Sequence, residues 1–202
     1  MSRLLDVSKD EFLAAAKMGD CGLTKGGGML GWFENLKRKK EHEGAVLMTH
    51  VFACKGNGKI SEADGKSVVE SDLSRYIGGK RHTVIFRFKN ITDDQRNIMS
   101  AYIAGTEKVR GQYAWKTIFR HAWNFFLPEK KQKWPDDPGV ICCENYADTA
   151  RAAQIPFMGE MKTQETTPTL CYTWLSHAGK LLSWELIAEC SGEKYYIKDG
   201  II

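Results

Sequence analysis

Residues 45–54 form a strongly β-prone run that ends at Gly56-Asn57-Gly58, a hairpin turn signal, and residues 58–63 return from it. A connection this short joins only antiparallel neighbours, because a parallel pair needs a crossover of a dozen residues or more. Ser67-Val68-Val69 extends the meander, Ser71 to Tyr76 reads as a helical turn, and His82 to Phe88 alternates in part as a further strand. Gly19-Asp20-Cys21-Gly22-Leu23 breaks the preceding helix and starts a strand upstream, and Leu181 to Cys190 pairs with Lys194 to Lys198 over Ser191-Gly192-Glu193.

Helices are expected around this sheet. Residues 8–18 carry Ser8 as N-cap with Glu11 completing a capping box, and Thr92-Asp93-Asp94-Gln95 opens another helix with the stripe Ile98, Met99, Tyr102 and Ile103. Met29 to Lys40 reads as an amphipathic helix, and a helix after Gly111-Gln112 places Trp115, Ile118, Phe119, Ala122 and Phe126 on one face. A helix from the cysteine pair Cys142-Cys143 reaches about Ala153, and Pro168 to His177 forms one more. The expected class is α+β, one antiparallel sheet packed by helices.

With 202 residues, 43% of them apolar, and six Trp and nine Phe, the chain can bury one good-sized core, so residues 1–202 are read as a single domain. The net charge of +4 is small. The basic runs Lys37-Arg38-Lys39-Lys40 and Lys130-Lys131-Gln132-Lys133 are each followed by acidic residues, as solvated faces are, and no nucleic-acid motif accompanies them. No stretch approaches the roughly 18 apolar residues of a membrane span, and Met1 to Val7 lacks a signal peptide's apolar run. A cytoplasmic protein with no stable membrane insertion and no nucleic-acid partner is therefore expected. Its six cysteines should be thiols. They show no C-x-x-C spacing, so neither zinc nor any other cofactor is expected. Gly26-Gly27-Gly28 is a joint without the spacing of a phosphate-binding loop.

Chemistry concentrates at three residues. Cys142 lies near a helix start, whichever of Asp137-Pro138 or Ile141 opens it, and unpaired amides and the macrodipole there favour a thiolate. The same amides can donate to a developing oxyanion. His50 is a polar imidazole inside an apolar strand and needs a partner. If Lys55, Gly56 and Asn57 form a three-residue loop, His50 faces Glu62 directly; a two-residue Asn57-Gly58 turn breaks that register. Cys54, Cys171 and Cys190 read as small buried hydrophobes, and His42, His82, His121 and His177 as surface or partly buried residues.

The order Gly19-Asp20, Thr49-His50-Val51, Ser61-Glu62-Ala63, then Cys142-Cys143-Glu144 resembles the circularly permuted branch of the NlpC-type papain-like cysteine peptidases, which includes the YiiX-like and orthopoxvirus-type proteins. In that branch the histidine strand precedes the cysteine helix. Gly65-Lys66-Ser67-Val68, the strand from Val84 to Arg87, Gly111-Gln112-Tyr113 and the Thr167-Pro168 step fit the same pattern, so the resemblance spans roughly residues 15–180. It implies a permuted papain-like fold with Cys142 as nucleophile, His50 as general base and Glu62 as the orienting residue. The chain departs from the pattern at Cys143, where the family usually has serine, and at Tyr113-Ala114, where it usually has tyrosine-aspartate. Placing Glu144 on the motif's glutamate selects Cys142 over Cys143. The implied activity is hydrolysis of an amide in a peptide-like or acyl substrate. Acyl transfer or lipid deacylation with the same residues, and a non-catalytic module on this fold, are the alternatives; the oligomeric state is not legible.

Overall fold

The computed structural model describes residues 3–25, 47–109, 142–159 and 167–201. The expected helices at 29–40 and after 111, the Gly26-Gly27-Gly28 joint, Asp137-Pro138 and Tyr113-Ala114 lie outside the described residues. The class is α+β. Among the described residues eight strands, β1 (Leu4–Val7), β2 (Cys21–Lys25), β3 (His50–Gly56), β4 (Lys59–Ala63), β5 (Val68–Asp72), β6 (His82–Phe88), β7 (Trp184–Ser191) and β8 (Lys194–Lys198), form one sheet in the order β1-β8-β7-β6-β2-β3-β4-β5. Every neighbouring pair is antiparallel. The described helices are α1 (Lys9–Ala15), α2 (Asp93–Val109), α3 (Cys142–Ala152), α4 (Pro168–Ser176) and the short α5 (Ala178–Leu181), with a 3-10 turn at Leu73–Tyr76.

Local chemistry sets the helix starts. Ser8 Oγ accepts from the Glu11 amide at 3.3 Å while the Glu11 carboxylate accepts from the Ser8 amide at 2.8 Å, so the capping box at α1 is closed. Thr92 and Gln95 make the same reciprocal pair ahead of α2. Thr167 caps α4, with Pro168 at a first-turn position where its missing N–H costs nothing. Of the expected α2 stripe, Met99 and Ile103 are fully buried and Ile98 is 46% exposed.

Both faces of the sheet are covered, which is why its central strands read as nearly unbroken apolar runs. In β3, Val51 and Ala53 join a core with Met99 and Ile103 of α2, Tyr146 and Ala150 of α3, and Cys171 and Leu175 of α4. The alternate residues Phe52 and Cys54 join a second core with Phe12 and Ala15 of α1 and Leu73 of the 3-10 turn. Between β2 and β3, Gly22 pairs with Phe52. A Cβ at Gly22 would lie 1.9 Å from the Phe52 ring, so that ring lies across a position that only glycine leaves free. The edge strand β1, which the sequence reading did not call, extends β8.

Two polar ties fix the cysteine helix to the sheet. Tyr146 Oη donates to the Gly19 carbonyl at 2.8 Å, and the Gly19 amide donates to the Cys54 carbonyl at 3.0 Å. The neighbouring Asp20 is buried and takes a two-pronged contact from Arg87 at 2.9 and 2.7 Å, while Arg87 Nη2 also donates to the Ala15 carbonyl. Burial pushes the Asp20 carboxyl up and the Arg87 guanidinium pulls against it. The Gly19-Asp20 pair is thus the knot that joins α1, β2, β3, β6 and α3.

Candidate active site

The site begins with the β3–β4 hairpin. Its turn is the two-residue Asn57-Gly58, with φ of 52° and 69°, the left-handed pair that suits the twist of a tight hairpin. By itself that turn would put Glu62 opposite Ala53, on the face away from His50. The register instead shifts between Cys54 and Gly56, where Lys55 is an extra residue on β3. Beyond this bulge Ala53 pairs with Ser61, so Glu62 falls opposite Phe52 and on the face of His50. His50 and Glu62 are therefore diagonal neighbours, a separation that a glutamate side chain spans. The direct opposition expected from a three-residue loop does not occur. The shared face does, and the bulge is its cause.

His50 Nε2 lies 2.8 Å from Glu62 Oε2. Glu62 is fully buried and His50 is 15% exposed at its side chain. Three further groups close around the carboxylate. The Tyr76 hydroxyl donates to the same Oε2, and Arg75 Nη1 lies 3.1 Å from Oε1 and 2.7 Å from Ser71 Oγ. The route to these contacts is local. Val69 of β5 pairs with Glu62, Ser71 is next on that face, and the 3-10 turn carries Arg75 and Tyr76 back over the carboxylate. The Tyr76 ring also packs on the imidazole, with centroids 5.3 Å apart, and stacks on Phe52 at 5.4 Å.

Cys142 opens the described part of α3, and His50 is the first residue of β3. α3 packs on β3 and β4. The Cys142 thiol feels the His50 imidazole and the Val51 amide, both of which favour its ionised form, and its sulfur lies 3.8 Å from that of Cys143. Since Nε2 is engaged by Glu62, Nδ1 is the ring nitrogen left for the thiol. Cys142 is 5% exposed and Cys143 fully buried. Successive helical residues diverge by about 100°, and Cys143 turns to Cys171 of α4.

These contacts separate the two thiols. Hydrogen bonding from Cys143, then the bond and charge of His50 and the Val51 amide, hold the Cys142 thiol well below the usual thiol range against the opposing effect of burial. Burial and the adjacent Cys142 push Cys143 well above it. For His50, burial disfavours the cation, but bonds and charges from Cys142 and Glu62 outweigh it and raise the imidazole to about 9. For Glu62, burial opposes ionisation, yet bonds from His50, Ser71 and Tyr76 lower the carboxyl to about 2. Tyr76 is pushed up by burial and by the Glu62 carboxylate, so it remains a donor. These shifts favour a thiolate at Cys142, an imidazolium at His50 and a carboxylate at Glu62. Such a set can attack an electrophilic carbon and return a proton to a leaving group.

Cys142, His50 and Glu62, named from sequence, thus come together. All six cysteines are free and buried. His82 pairs with Glu189 at 2.9 Å and His177 caps its own helix through the Thr173 carbonyl, while His42 and His121 lie outside the described residues. Ser71, Arg75 and Tyr76 are not legible as site residues in the sequence, where Ser71 to Tyr76 reads as a helical turn. Their only signal is a polar Arg-Tyr end on a turn that follows a meander, and its meaning depends on pairing of β5 with β4. Among the described residues no cluster of three or more His, Cys, Asp or Glu could hold a metal ion, and no helix is long and apolar enough to cross a membrane. No protein-family model matches the chain, and no curated protein matches it significantly.

Proposed function

We propose that this protein is a thiol hydrolase of the permuted papain-like type, acting on an amide bond in a peptide, isopeptide or related acyl substrate. The observation that carries the reading is the buried array Cys142–His50–Glu62, whose charges favour a thiolate beside an imidazolium. Cys142 Sγ attacks the carbonyl carbon, and the oxygen takes the electron pair of the C=O π bond. Amides at the start of α3 stabilise that oxyanion. Collapse of the intermediate breaks the C–N bond as His50 gives its proton to the departing nitrogen, leaving a thioester on Cys142. His50, now neutral, takes a proton from water, and the hydroxide attacks the thioester. The carboxylic product leaves and the thiolate–imidazolium pair returns.

The chain order, with the histidine strand before the cysteine helix, supports the permuted form of the fold. The six free thiols suit a reducing compartment such as the cytosol.

The experiment is a screen of peptide, isopeptide and lipid-ester substrates with the wild type, Cys142→Ala and His50→Ala. Turnover of an amide substrate by the wild type, and background rates in both variants, supports the reading. Cleavage confined to lipid esters moves the substrate class to lipids. Full activity in Cys142→Ala refutes the assignment.

A further inference from the structure

Tyr76 touches both halves of the His50–Glu62 pair. Its hydroxyl donates to the Glu62 oxygen that also receives His50 Nε2–H, and its ring lies 5.3 Å from the imidazole at an interplanar angle of 32°. The backbone under it is pinned, because Thr83 Oγ1 donates to the Tyr76 carbonyl and lies 2.9 Å from Thr24 Oγ1. Phe52 stacks on the same ring at 20° and lies 6.3 Å from the imidazole, so the three rings form one cluster, with Phe52 seated on Gly22. A carboxylate held only by a histidine can rotate with it. This one has donors on both oxygens, Tyr76 on Oε2 and Arg75 on Oε1.

We infer that Tyr76 is a positioning residue of the active site, fixing the plane of the Glu62 carboxylate and of the His50 ring so that Nδ1 is directed at the Cys142 sulfur. The inference rests on the reading of Cys142 and His50 as a thiolate–imidazolium pair. The charged and titratable groups around the imidazole, among the described residues, are Cys142 from α3, Glu62 from β4, and Arg75 and Tyr76 from the 3-10 turn. Arg81 lies behind the Tyr76 ring at 5.5 Å. Removing the Tyr76 hydroxyl leaves every formal charge in place and loosens only the orientation. A looser imidazolium stabilises the thiolate less, so the thiol needs a higher pH to ionise. Removing the ring as well takes away the surface on which the imidazole rests.

The test compares wild type, Tyr76→Phe and Tyr76→Leu by the pH dependence of Cys142 alkylation with iodoacetamide, followed by peptide mass spectrometry, with thermal melts confirming folding. Tyr76→Phe is nearly isosteric and keeps the stack on Phe52. In the wild type, alkylation should begin on the acid side of the ordinary thiol range. In Tyr76→Phe the acidic limb should move to higher pH, with the rate below the limb falling about three- to tenfold, and Tyr76→Leu should move it further. Three superimposable limbs overturn the inference while leaving the thiolate–imidazolium reading intact. A wild-type limb at the position of an ordinary thiol overturns that reading and the inference with it.

Discussion

Replacing Glu62 by glutamine tests the electrostatic core of the site, and its effect should depend on pH in a defined direction. The side chain keeps its size but loses its charge. The Glu62 carboxylate now receives His50 Nε2, the Tyr76 hydroxyl and Arg75 Nη1. A glutamine offers one acceptor oxygen and presents an NH2 on the other side, so one of these donors must face another donor. The carboxyl is lowered from 4.5 to about 2 by folding. At about 1.36 kcal/mol per pH unit, the difference corresponds to ~3 kcal/mol of stability at pH 7. Arg75 is 56% exposed and adds little to that figure. Because the folded-state value is depressed, the contribution is complete above about 4.5 and is lost as pH falls toward 2. Urea unfolding at pH 7 should therefore show Glu62→Gln destabilised by ~3 kcal/mol, and at about pH 3 the gap should shrink to roughly half. A gap of equal size at both pH values would refute an electrostatic origin and leave only a packing defect.

Two further substitutions probe the frame. Gly22→Ala should displace Phe52 and, through its stack, Tyr76; unfolding should show a loss of about 1–3 kcal/mol, the range for overpacking a filled core, and an unchanged midpoint would contradict the described packing. Cys143→Ala removes a buried thiol and a weak donor to Cys142, so stability should drop by about 1 kcal/mol while iodoacetamide still labels Cys142; loss of all thiol reactivity would instead make Cys143 the nucleophile.

Much of this arrangement was legible in the chain. The Ser8–Glu11 and Thr92–Gln95 boxes and the Pro168 start are short-range signals, decided within one helical turn, and each holds where it was read. Of the β-prone run at 45–54, residues 50–54 lie in a strand that opens at His50 and continues to Gly56, while residues 47–49 are not part of it. The hairpin shows where reading fails. Asn57-Gly58 announces its turn, yet the bulge at Lys55 leaves no mark in composition, and without it the register sends Glu62 to the wrong face. Lys55 is held out by Glu70 of β5 at 2.6 Å and Glu107 of α2 at 3.1 Å, contacts that exist only after the sheet and α2 have assembled. β1 escaped notice because four residues carry too little periodicity to identify an edge strand whose partner lies about 190 residues away. Tyr76 escaped for a similar reason, since its role lies in a contact 14 residues back along the chain.

The central claim is that one thiol of six is held ionised by His50. It is tested most directly by treating the native protein near neutral pH with substoichiometric iodoacetamide and mapping the modified cysteine by peptide mass spectrometry, in wild type and His50→Ala. The account predicts modification of Cys142 ahead of Cys21, Cys54, Cys143, Cys171 and Cys190, with that preference abolished in His50→Ala. Slow and uniform modification of all six, or a Cys142 rate indifferent to loss of the imidazole, would contradict it.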